Sequence, residues 1–247
     1  MPGLDERGPT GEPQNACQVR FAVSTALGPI RKGKSMRLVI TSDTHGREDL
    51  IRSLPEGDVF VHAGDLMNSG LYPEEIISFS RWLGKLPIER RVVCGGNHDR
   101  LFQNMPEFAR KYLTNATYLE NTGVKIDGVS FWGSPYTPEF LNWAFMYPRG
   151  GAARQYWDQI PYDLDVLITH GPPFGILDQT EEGSPHLGCE ELLRAVEEKK
   201  PKVHIFGHIH GGAGSFDSGT TRFVNAAFLN ERYQPAEPAG IVRVVDL

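Results

Sequence analysis

Two histidines, His208 and His210, lie one residue apart in the glycine-flanked segment FGHIHG at positions 206–211. Imidazole nitrogens bind transition-metal ions and exchange protons near neutral pH, so this pair could serve a metal ion or an acid–base step. A single histidine, however, is more often an ordinary side chain than a ligand. The interpretation therefore depends on the polar residues that the fold places beside the pair.

Polar residues of the same kind follow five short apolar runs of the chain. The runs span residues 38–40, 59–61, 92–94, 166–168 and 203–206, and the segments SDTHG, AGD, GGNHD, THGPP and GHIHG come after them. Runs that are apolar at nearly every position are typical of strands covered on both faces. Because ligands bind beyond the carboxyl ends of strands in open α/β sheets, we expect the five strand ends to meet at one site.

The segments between these runs predict an α/β fold with two mixed β-sheets packed face to face and α-helices outside. One helix is expected to start near Pro73, and another to end near Pro201. Their apolar faces are formed by Ile76, Phe79, Leu83 and Leu86 and by Cys189, Leu192, Leu193 and Val196. Residues 117–133 and the C-terminal residues are expected to form antiparallel hairpin strands.

The strand ends supply carboxylate oxygens, an amide oxygen and imidazole nitrogens in the number that a pair of metal ions needs. The candidate ligands are Asp43, His45, Asp65, Asn97, His170, His208 and His210. Asp65 lies in the middle of the set and is the best residue to bridge the ions. A mixed nitrogen and oxygen set without thiolate favours Mn, Fe or Zn and does not choose among them. Ordinary polar loop residues at strand ends are the alternative interpretation.

The five blocks at 42–46, 63–65, 95–99, 169–173 and 207–211 resemble, in order, the motifs of the calcineurin-like metallophosphoesterase superfamily. The resemblance covers roughly residues 36–247. Within the superfamily the chain is most similar to the small metallophosphoesterase-domain-containing branch, which is similar to class III cyclic-nucleotide phosphodiesterases. The fold that this resemblance implies is the four-layer metallophosphoesterase fold, a two-sheet sandwich flanked by helices.

The resemblance also implies a role for each motif residue. One metal ion would be held by Asp43, His45, Asp65 and His210, and the second by Asp65, Asn97, His170 and His208. His98 would be a catalytic residue that faces the phosphate or the leaving group, and Asp99 would orient His98. For Asp99, a helix cap or a local turn bond is the alternative.

The chemistry that follows is hydrolysis of a phosphoester by a metal-bridging hydroxide, with His98 stabilising charge or protonating the leaving oxygen. We expect a metal-dependent phosphoesterase. Small phosphodiesters, with cyclic nucleotides among them, are favoured by the resemblance alone. A phosphomonoesterase or nucleotidase is the first alternative. A non-catalytic interaction scaffold on the same fold fits less well, because every motif position is filled.

Other residues are given structural interpretations. His62, His186 and His204 are expected to support the fold or the site rather than to bind metal. The aromatic segment 131–149 is expected to pack in the core and loops, with a pocket wall that includes Tyr136 or Arg149 as the alternative. Asn225 is a further candidate for a pocket contact.

Composition restricts the partners and the location. The formal net charge of -6 over 247 residues argues against non-specific binding to nucleic acid. The three cysteines are far apart and no apolar run is long enough to span a bilayer, so a reducing, cytoplasmic location without membrane attachment is expected. Residues 1–35 are expected to form a partly disordered N-terminal extension in which CQVRFAV could form an edge strand. Residues 36–247 would form the metallophosphoesterase domain, and the sequence does not identify any protein partner, so protein partners are unknown.

Overall fold

The computed structural model describes residues 35–236 and 242–247 and the backbone of residues 21–23. The strands are β1 Phe21–Val23, β2 Arg37–Thr41, β3 Val59–Ala63, β4 Arg90–Cys94, β5 Thr117–Leu119, β6 Thr122–Ile126, β7 Val129–Ser134, β8 Thr137–Pro138, β9 Met146–Tyr147, β10 Val166–Thr169, β11 Val203–Phe206, β12 Gly214–Asp217, β13 Arg222–Asn225 and β14 Arg243–Asp246. The helices are α1 Pro73–Leu83, α2 Arg100–Asn104, α3 Pro106–Tyr112, α4 Arg154–Trp157 and α5 Glu190–Lys199, with 3-10 turns at Glu48–Leu50, Gly151–Ala153 and His210–Gly212.

The strands form two large mixed sheets and a short pair of β8 with β9. The first sheet has the order β1-β6-β7-β10-β11-β13-β12, and the second has the order β14-β2-β3-β4-β5. In the centre of each sheet the strands run parallel, β10 with β11 in the first and β2 with β3 and β4 in the second. The carboxyl ends of these central strands therefore lie at one edge of each sheet.

Alternation along the strands determines how the layers pack. In β2, Leu38 and Ile40 belong to the core between the two sheets, whereas Val39 packs with residues of α1 and α3. In β10, Leu167 packs with residues of α4 and α5 on the outer face of the first sheet. Because successive side chains point to opposite faces, both sheets are covered on both sides. The predicted α/β sandwich with flanking helices is confirmed.

The helix expected near Pro73 is α1. Pro73 occupies its first turn, and Ile76, Phe79 and Leu83 are buried against the second sheet. Leu86 lies beyond the helix end and packs against the same cluster from the following turn. The apolar periodicity therefore predicts the buried face of α1 correctly, but the last residue of that predicted face, Leu86, lies beyond the end of the helix.

The second expected helix is α5, which starts after Cys189. The Cys189 Sγ atom accepts a hydrogen bond from the backbone N–H of Leu192 at 3.4 Å, so this residue caps the helix rather than lying in it. Leu192 and Val196 are buried as expected, whereas Leu193 is half-buried. The N-cap position still directs Cys189 into the core on the outer face of the first sheet.

Residues 117–133 differ from the expected hairpin at one strand. β6 and β7 form an antiparallel pair. β5, in contrast, pairs in parallel with β4 in the other sheet. The prediction was wrong for β5 because alternating apolar residues indicate a strand without identifying its partner. The expected antiparallel C-terminal strands are present, β12 with β13 and β14 with β2.

The expected N-terminal extension lies largely outside the described residues, and so does its expected disorder. Within it, β1 pairs in parallel with β6 at the edge of the first sheet, where the edge strand in CQVRFAV was expected. The division between residues 1–35 and 36–247 stays a prediction. In the part of the chain that the structure describes, no helix has the length and apolar character needed to cross a membrane.

Candidate metal centre

The candidate ligands meet where the carboxyl ends of five strands converge. They follow β2 (Asp43 and His45), β3 (Asp65), β4 (Asn97), β10 (His170) and β11 (His208 and His210). Six of them are buried and His208 is half-buried. We call this set the floor. The structure brings all seven residues that the sequence singled out to one place.

The floor contains two adjoining groups in which the potential ligand atoms lie within 4.8 Å of one another. The first group is Asp43, His45 and His210, and the second is Asp65, His170 and His208. Asn97 joins the second group, since its Oδ1 atom lies 2.9 Å from His170 Nε2. The grouping agrees with the two ligand sets that the family resemblance implies.

Asp65 lies between the two groups. Its Oδ2 atom is 3.7 Å from His45 Nε2 in the first group and 3.3 Å from His170 Nε2 in the second. Its Oδ1 atom accepts a hydrogen bond from the backbone N–H of His98 at 2.8 Å. One oxygen is thus anchored and the other faces both groups, which is the position that a bridging carboxylate needs.

Four floor residues have a left-handed backbone although they are not glycine. The φ angle is 54° at Asp43, 46° at His45, 54° at Asp65 and 66° at His208. Left-handed backbone costs an ordinary residue about 1–2 kcal/mol. Such strain clusters at functional sites, where the surrounding structure enforces it. The loop after β2 is held against the loop after β3 by two backbone hydrogen bonds. The N–H of Asp43 donates to the Gly64 carbonyl oxygen, and the N–H of His45 donates to the Asp65 carbonyl oxygen.

Glycine lets the backbone approach the floor carboxylates closely. A Cβ atom on Gly207 would collide with Asp43 Oδ2, and one on Gly96 would collide with Asp65 Oδ1. The open space at Gly207 allows the backbone N–H of His208 to donate to the Asp43 carboxylate at 3.0 Å. The glycines of the sequence blocks therefore have a direct packing reason.

Backbone carbonyl oxygens orient two of the imidazoles. His170 Nδ1 lies 3.1 Å from the Ala63 carbonyl oxygen, and His210 Nδ1 lies 3.1 Å from that of Asn230. A carbonyl oxygen only accepts, so Nδ1 donates in each case and Nε2 is turned toward the floor. The Nε2 atom of His210 also lies 3.4 Å from that of His45, so two imidazole nitrogens face each other.

The buried charges show what the floor attracts. Burial disfavours a charged carboxylate, but the neighbouring histidines lower the pKa of Asp43 and of Asp65 below the usual value. Burial also disfavours a charged imidazole, yet Asp65 raises the pKa of His170, and Asp43 that of His210, to about 9. The carboxylates thus draw positive charge to the positions that metal ions would take.

The floor fits divalent metal ions. Its donors are carboxylate and amide oxygens and imidazole nitrogens, which suit Mn, Fe and Zn. Among the described ion pairs, the buried Asp43 and Asp65 carboxylates are matched by histidines rather than by lysine or arginine. A pair of cations would supply the missing positive charge.

His98 lies beside the floor with its ring at the cavity. Its Nδ1 atom lies 2.6 Å from the Asn68 carbonyl oxygen and therefore donates to it, which leaves Nε2 for the cavity. Potential ligand atoms of His45, Asp65 and His98 also lie within 4.8 Å of one another. That His98 serves catalysis rather than metal binding stays a prediction.

Asp99 has different partners from those that its expected role requires. It is fully buried, and its carboxylate accepts hydrogen bonds from the backbone N–H groups of Gly96 at 2.7 Å and Met67 at 2.9 Å. Burial raises the pKa of Asp99 to about 8. The Nδ1 atom of His98 is engaged by Asn68. Asp99 therefore joins the loop after β3 to the loop after β4, and its described hydrogen bonds go to backbone N–H groups rather than to the His98 ring.

Two buried histidines support the floor from below. His62 Nε2 lies 3.1 Å from Thr44 Oγ1, and His204 Nε2 lies 2.8 Å from Thr169 Oγ1. Burial lowers the pKa of both imidazoles to about 3. Each therefore stays neutral and holds a threonine that adjoins a floor residue, which supports the structural interpretation.

A cavity of about 490 Å³ opens above the floor. Apolar side chains from three loops form one side of it, and we call them the wall. The wall residues are Phe140, Leu141, Trp143, Leu187 and Tyr233. Part of the aromatic segment 131–149 thus lines the cavity, whereas Phe131, Trp132 and Tyr147 of the same segment are buried in the cores.

The other pocket candidates have mainly structural contacts. Arg149 lines the cavity, but its guanidinium donates to the carbonyl oxygens of Leu187 and Gly188. Tyr136 packs in the outer core, outside the residues that line the cavity. Asn225 Nδ2 donates to the Ile209 carbonyl oxygen at 2.8 Å and so supports the turn after β11, which carries His208 and His210.

Sequence reasoning missed two wall residues. Trp143 stacks on His98 with ring centroids 4.1 Å apart, and Tyr233 packs edge-on against His45 at 4.9 Å. The sequence identifies Trp143 only as part of the aromatic segment 131–149. Tyr233 lies in the loop NERYQPAEP, which has no periodicity and no motif that could have singled it out.

Comparisons with known proteins agree with this geometry. A family model described as calcineurin-like phosphoesterase matches residues 36–212. The human protein named metallophosphoesterase domain-containing protein 1 is 40% identical over 230 residues, which cover 83% of this chain and 70% of that protein. The Caenorhabditis elegans UPF0046 protein K07C11.7 is 38% identical over 213 residues, 81% of this chain and 72% of its own. The crystal structure of TT1561 from Thermus thermophilus shares the fold, with a TM-score of 0.54 at 14% identity over 86% of this chain and 99% of that one.

Proposed function

We propose, from the premise that the chain belongs to the calcineurin-like phosphoesterase family, that it hydrolyses small phosphodiesters with two divalent metal ions. The observation that carries the metal dependence is the meeting of two His and Asp groups beneath one cavity. Cyclic nucleotides are the substrates to test first, on the resemblance to class III cyclic-nucleotide phosphodiesterases. Residues 36–247 would form the catalytic domain.

The floor would hold both ions. Asp43, His45, Asp65 and His210 would bind one, and Asp65, Asn97, His170 and His208 would bind the other. When bound, such a pair neutralises the phosphoester and activates a water molecule for attack on phosphorus. The protein keeps the donors in place beforehand, since backbone N–H groups of His208 and His98 hold the Asp43 and Asp65 carboxylates.

His98 would serve the leaving group. Its Nδ1–H is engaged with the Asn68 carbonyl oxygen, so Nε2 is the atom that can reach a departing oxygen in the cavity. As an imidazolium, with a proton on each nitrogen, the ring would donate its Nε2 proton to the leaving oxygen or stabilise the developing charge, and the neutral ring that remains would keep its Nδ1–H on the Asn68 carbonyl oxygen.

The charges around the cavity favour a diester over a monoester. Among the described residues that line it, Arg149 is the one arginine or lysine, and backbone carbonyl oxygens engage its guanidinium. Glu139 and Glu231 add carboxylates to the lining. A phosphomonoester carries about 1.5 to 2 negative charges near neutral pH, whereas a diester carries a single one, so these groups repel a diester less.

The test is hydrolysis of bis-p-nitrophenyl phosphate and of p-nitrophenyl phosphate by the Mn²⁺-reconstituted protein. We expect faster turnover of the diester. Asp65→Ala should lower kcat/KM by about 10³-fold, since the metal charge in the transition state is worth several kcal/mol. Asp158→Ala is the matched control, because this exposed carboxyl group lies at the end of α4, outside the cavity lining.

Two results would contradict the proposal. Preference for the monoester would identify a phosphomonoesterase or nucleotidase on the same floor. Bound metal without turnover of either ester would favour an interaction scaffold. If the diester is preferred, cyclic nucleotides are assayed next with the same two variants.

A further inference from the structure

The His98 ring is held on three sides. Its Nδ1 atom donates to the Asn68 carbonyl oxygen at 2.6 Å. The His45 ring meets it edge-on, with centroids 4.5 Å apart and planes at 85°. The Trp143 ring stacks on it, with centroids 4.1 Å apart and planes at 21°. Asn68 contributes only its backbone and His45 belongs to the floor, so Trp143 is the contact that comes from a side chain of the wall.

Trp143 is itself fixed by residues that follow His98 in the chain. The Arg100 guanidinium lies over the Trp143 ring, 4.7 Å from its centroid. The Arg100 Nη2 atom also donates to the Asn142 carbonyl oxygen at 2.7 Å. A cation over an aromatic face and a backbone hydrogen bond together restrain both the ring and the residue before it.

Two further hydrogen bonds tie the loop of Trp143 to the loop of His98. The backbone N–H of Ala144 donates to the Asn97 carbonyl oxygen at 3.0 Å. The backbone N–H of Phe145 donates to the side chain of Gln103 in α2. These bonds join the segment that carries Trp143 to the floor residue Asn97 and to α2.

We infer that Trp143 is a positioning residue that holds the His98 ring, so that Nε2 points at the leaving oxygen of a bound ester. The inference rests on the proposed function, because it assigns a substrate atom to His98. Proton transfer requires hydrogen-bond distance and alignment between donor and leaving oxygen. A flat indole face permits small shifts of the imidazole within its plane but resists tilting, whereas an aliphatic side chain resists neither.

The test uses a series of methyl aryl phosphates whose leaving groups range from p-nitrophenol to phenol. A good leaving group departs without a proton, and a poor one needs it. Trp143→Leu should lower kcat by about 10²-fold for the phenyl ester and less than about 10-fold for the p-nitrophenyl ester, with little change in KM. Trp143→Phe keeps an aromatic face and should retain most of the activity on both esters.

Tyr233→Leu is the matched control. Tyr233 packs on His45 and His210 of the floor, so its loss should lower turnover by the same factor for every ester. If Trp143→Leu behaves in the same way, with one factor for the whole series, the inference is wrong.

A second measurement separates this inference from the proposed function. The ring ¹⁵N signals of His98 are recorded in the metal-free protein without substrate. At a pH at which the ring is neutral, the wild-type protein and Trp143→Phe should show the single proton fixed on Nδ1, and Trp143→Leu should show averaging of that proton between the two nitrogens. If the wild-type protein hydrolyses no ester, the proposed function fails, while unchanged ¹⁵N signals in Trp143→Leu would overturn the positioning role alone.

Discussion

The floor and the wall of the cavity are built in opposite ways. Asp43 and His170 of the floor have no exposed surface, whereas Phe140 and Leu141 of the wall are 63% and 70% exposed. Floor residues follow directly on strands that are buried on both faces. Wall residues belong to the loops between β8 and β9 and between β10 and α5 and to the segment after β13. The difference predicts that changes in the floor affect metal binding and turnover, whereas changes in wall residues other than Trp143 and Tyr233, whose rings contact histidines of the site, affect the binding of the substrate.

The wall nevertheless has a buried polar anchor of its own. The Asp178 side chain is 1% exposed and accepts hydrogen bonds from the backbone N–H groups of Gly175 and Gly188, each at 2.9 Å. His186 Nδ1 lies 2.6 Å from the same carboxyl group. These contacts join Gly175, Asp178, His186 and Gly188 of the loop that brings Leu187 to the cavity, which agrees with the structural role expected for His186.

Metal removal should produce the largest effect and should act through the floor alone. An ion present at 100 times its Kd stabilises the folded state by about 2.7 kcal/mol. For a chain of this size that corresponds to a Tm increase of about 5–10 °C. Thermal unfolding is measured with EDTA and then with excess Mn²⁺. Phe140→Ala in the wall should keep the shift and Asp65→Ala should lose it, so equal shifts in the two variants would remove the distinction between floor and wall.

Gly207→Ala should have the next largest effect. The added Cβ atom collides with Asp43 Oδ2 and must displace the carboxylate from the His208 N–H. Loss of a hydrogen bond that holds a metal ligand typically lowers the affinity for the metal ion by about 10–100-fold. Calorimetric Mn²⁺ titration measures it. Gly151→Ala is the control, since a Cβ atom there meets nothing within 4 Å. Unchanged Mn²⁺ affinity in Gly207→Ala would mean that the close approach of Gly207 to the Asp43 carboxylate does not determine how the floor binds metal.

Asp178→Ala should have the smallest effect on chemistry and the clearest effect on the wall. It leaves the N–H groups of Gly175 and Gly188 without their acceptor, which should lower the free energy of unfolding by about 1–3 kcal/mol. We expect KM for the diester to rise a few-fold, with Mn²⁺ affinity and kcat unchanged. Glu182→Ala, an exposed change in the same loop, is the control. A loss of Mn²⁺ affinity in Asp178→Ala would show that the wall and the floor are coupled.

The sequence predicted the floor better than the wall for an identifiable reason. Each floor residue lies within a few positions of an apolar run, so the strand that carries it also determines its location. β5 was assigned to the wrong partner because its pairing depends on a crossover between sheets. Asp99 was expected at the His98 ring, but the turn before α2 directs its carboxylate to the backbone of the β3 loop.

The sequence by itself determined which residues end the buried strands, which glycines let the backbone approach them, and which class of metal ion their atoms suit. The tertiary structure decided the contacts between segments far apart in the chain. Examples are Trp143 stacked on His98, Tyr233 packed against His45, and the hydrogen bond from Asn225 to the Ile209 carbonyl oxygen. The physical reason is that periodicity encodes burial within one element, whereas loop contacts depend on packing among several elements at once.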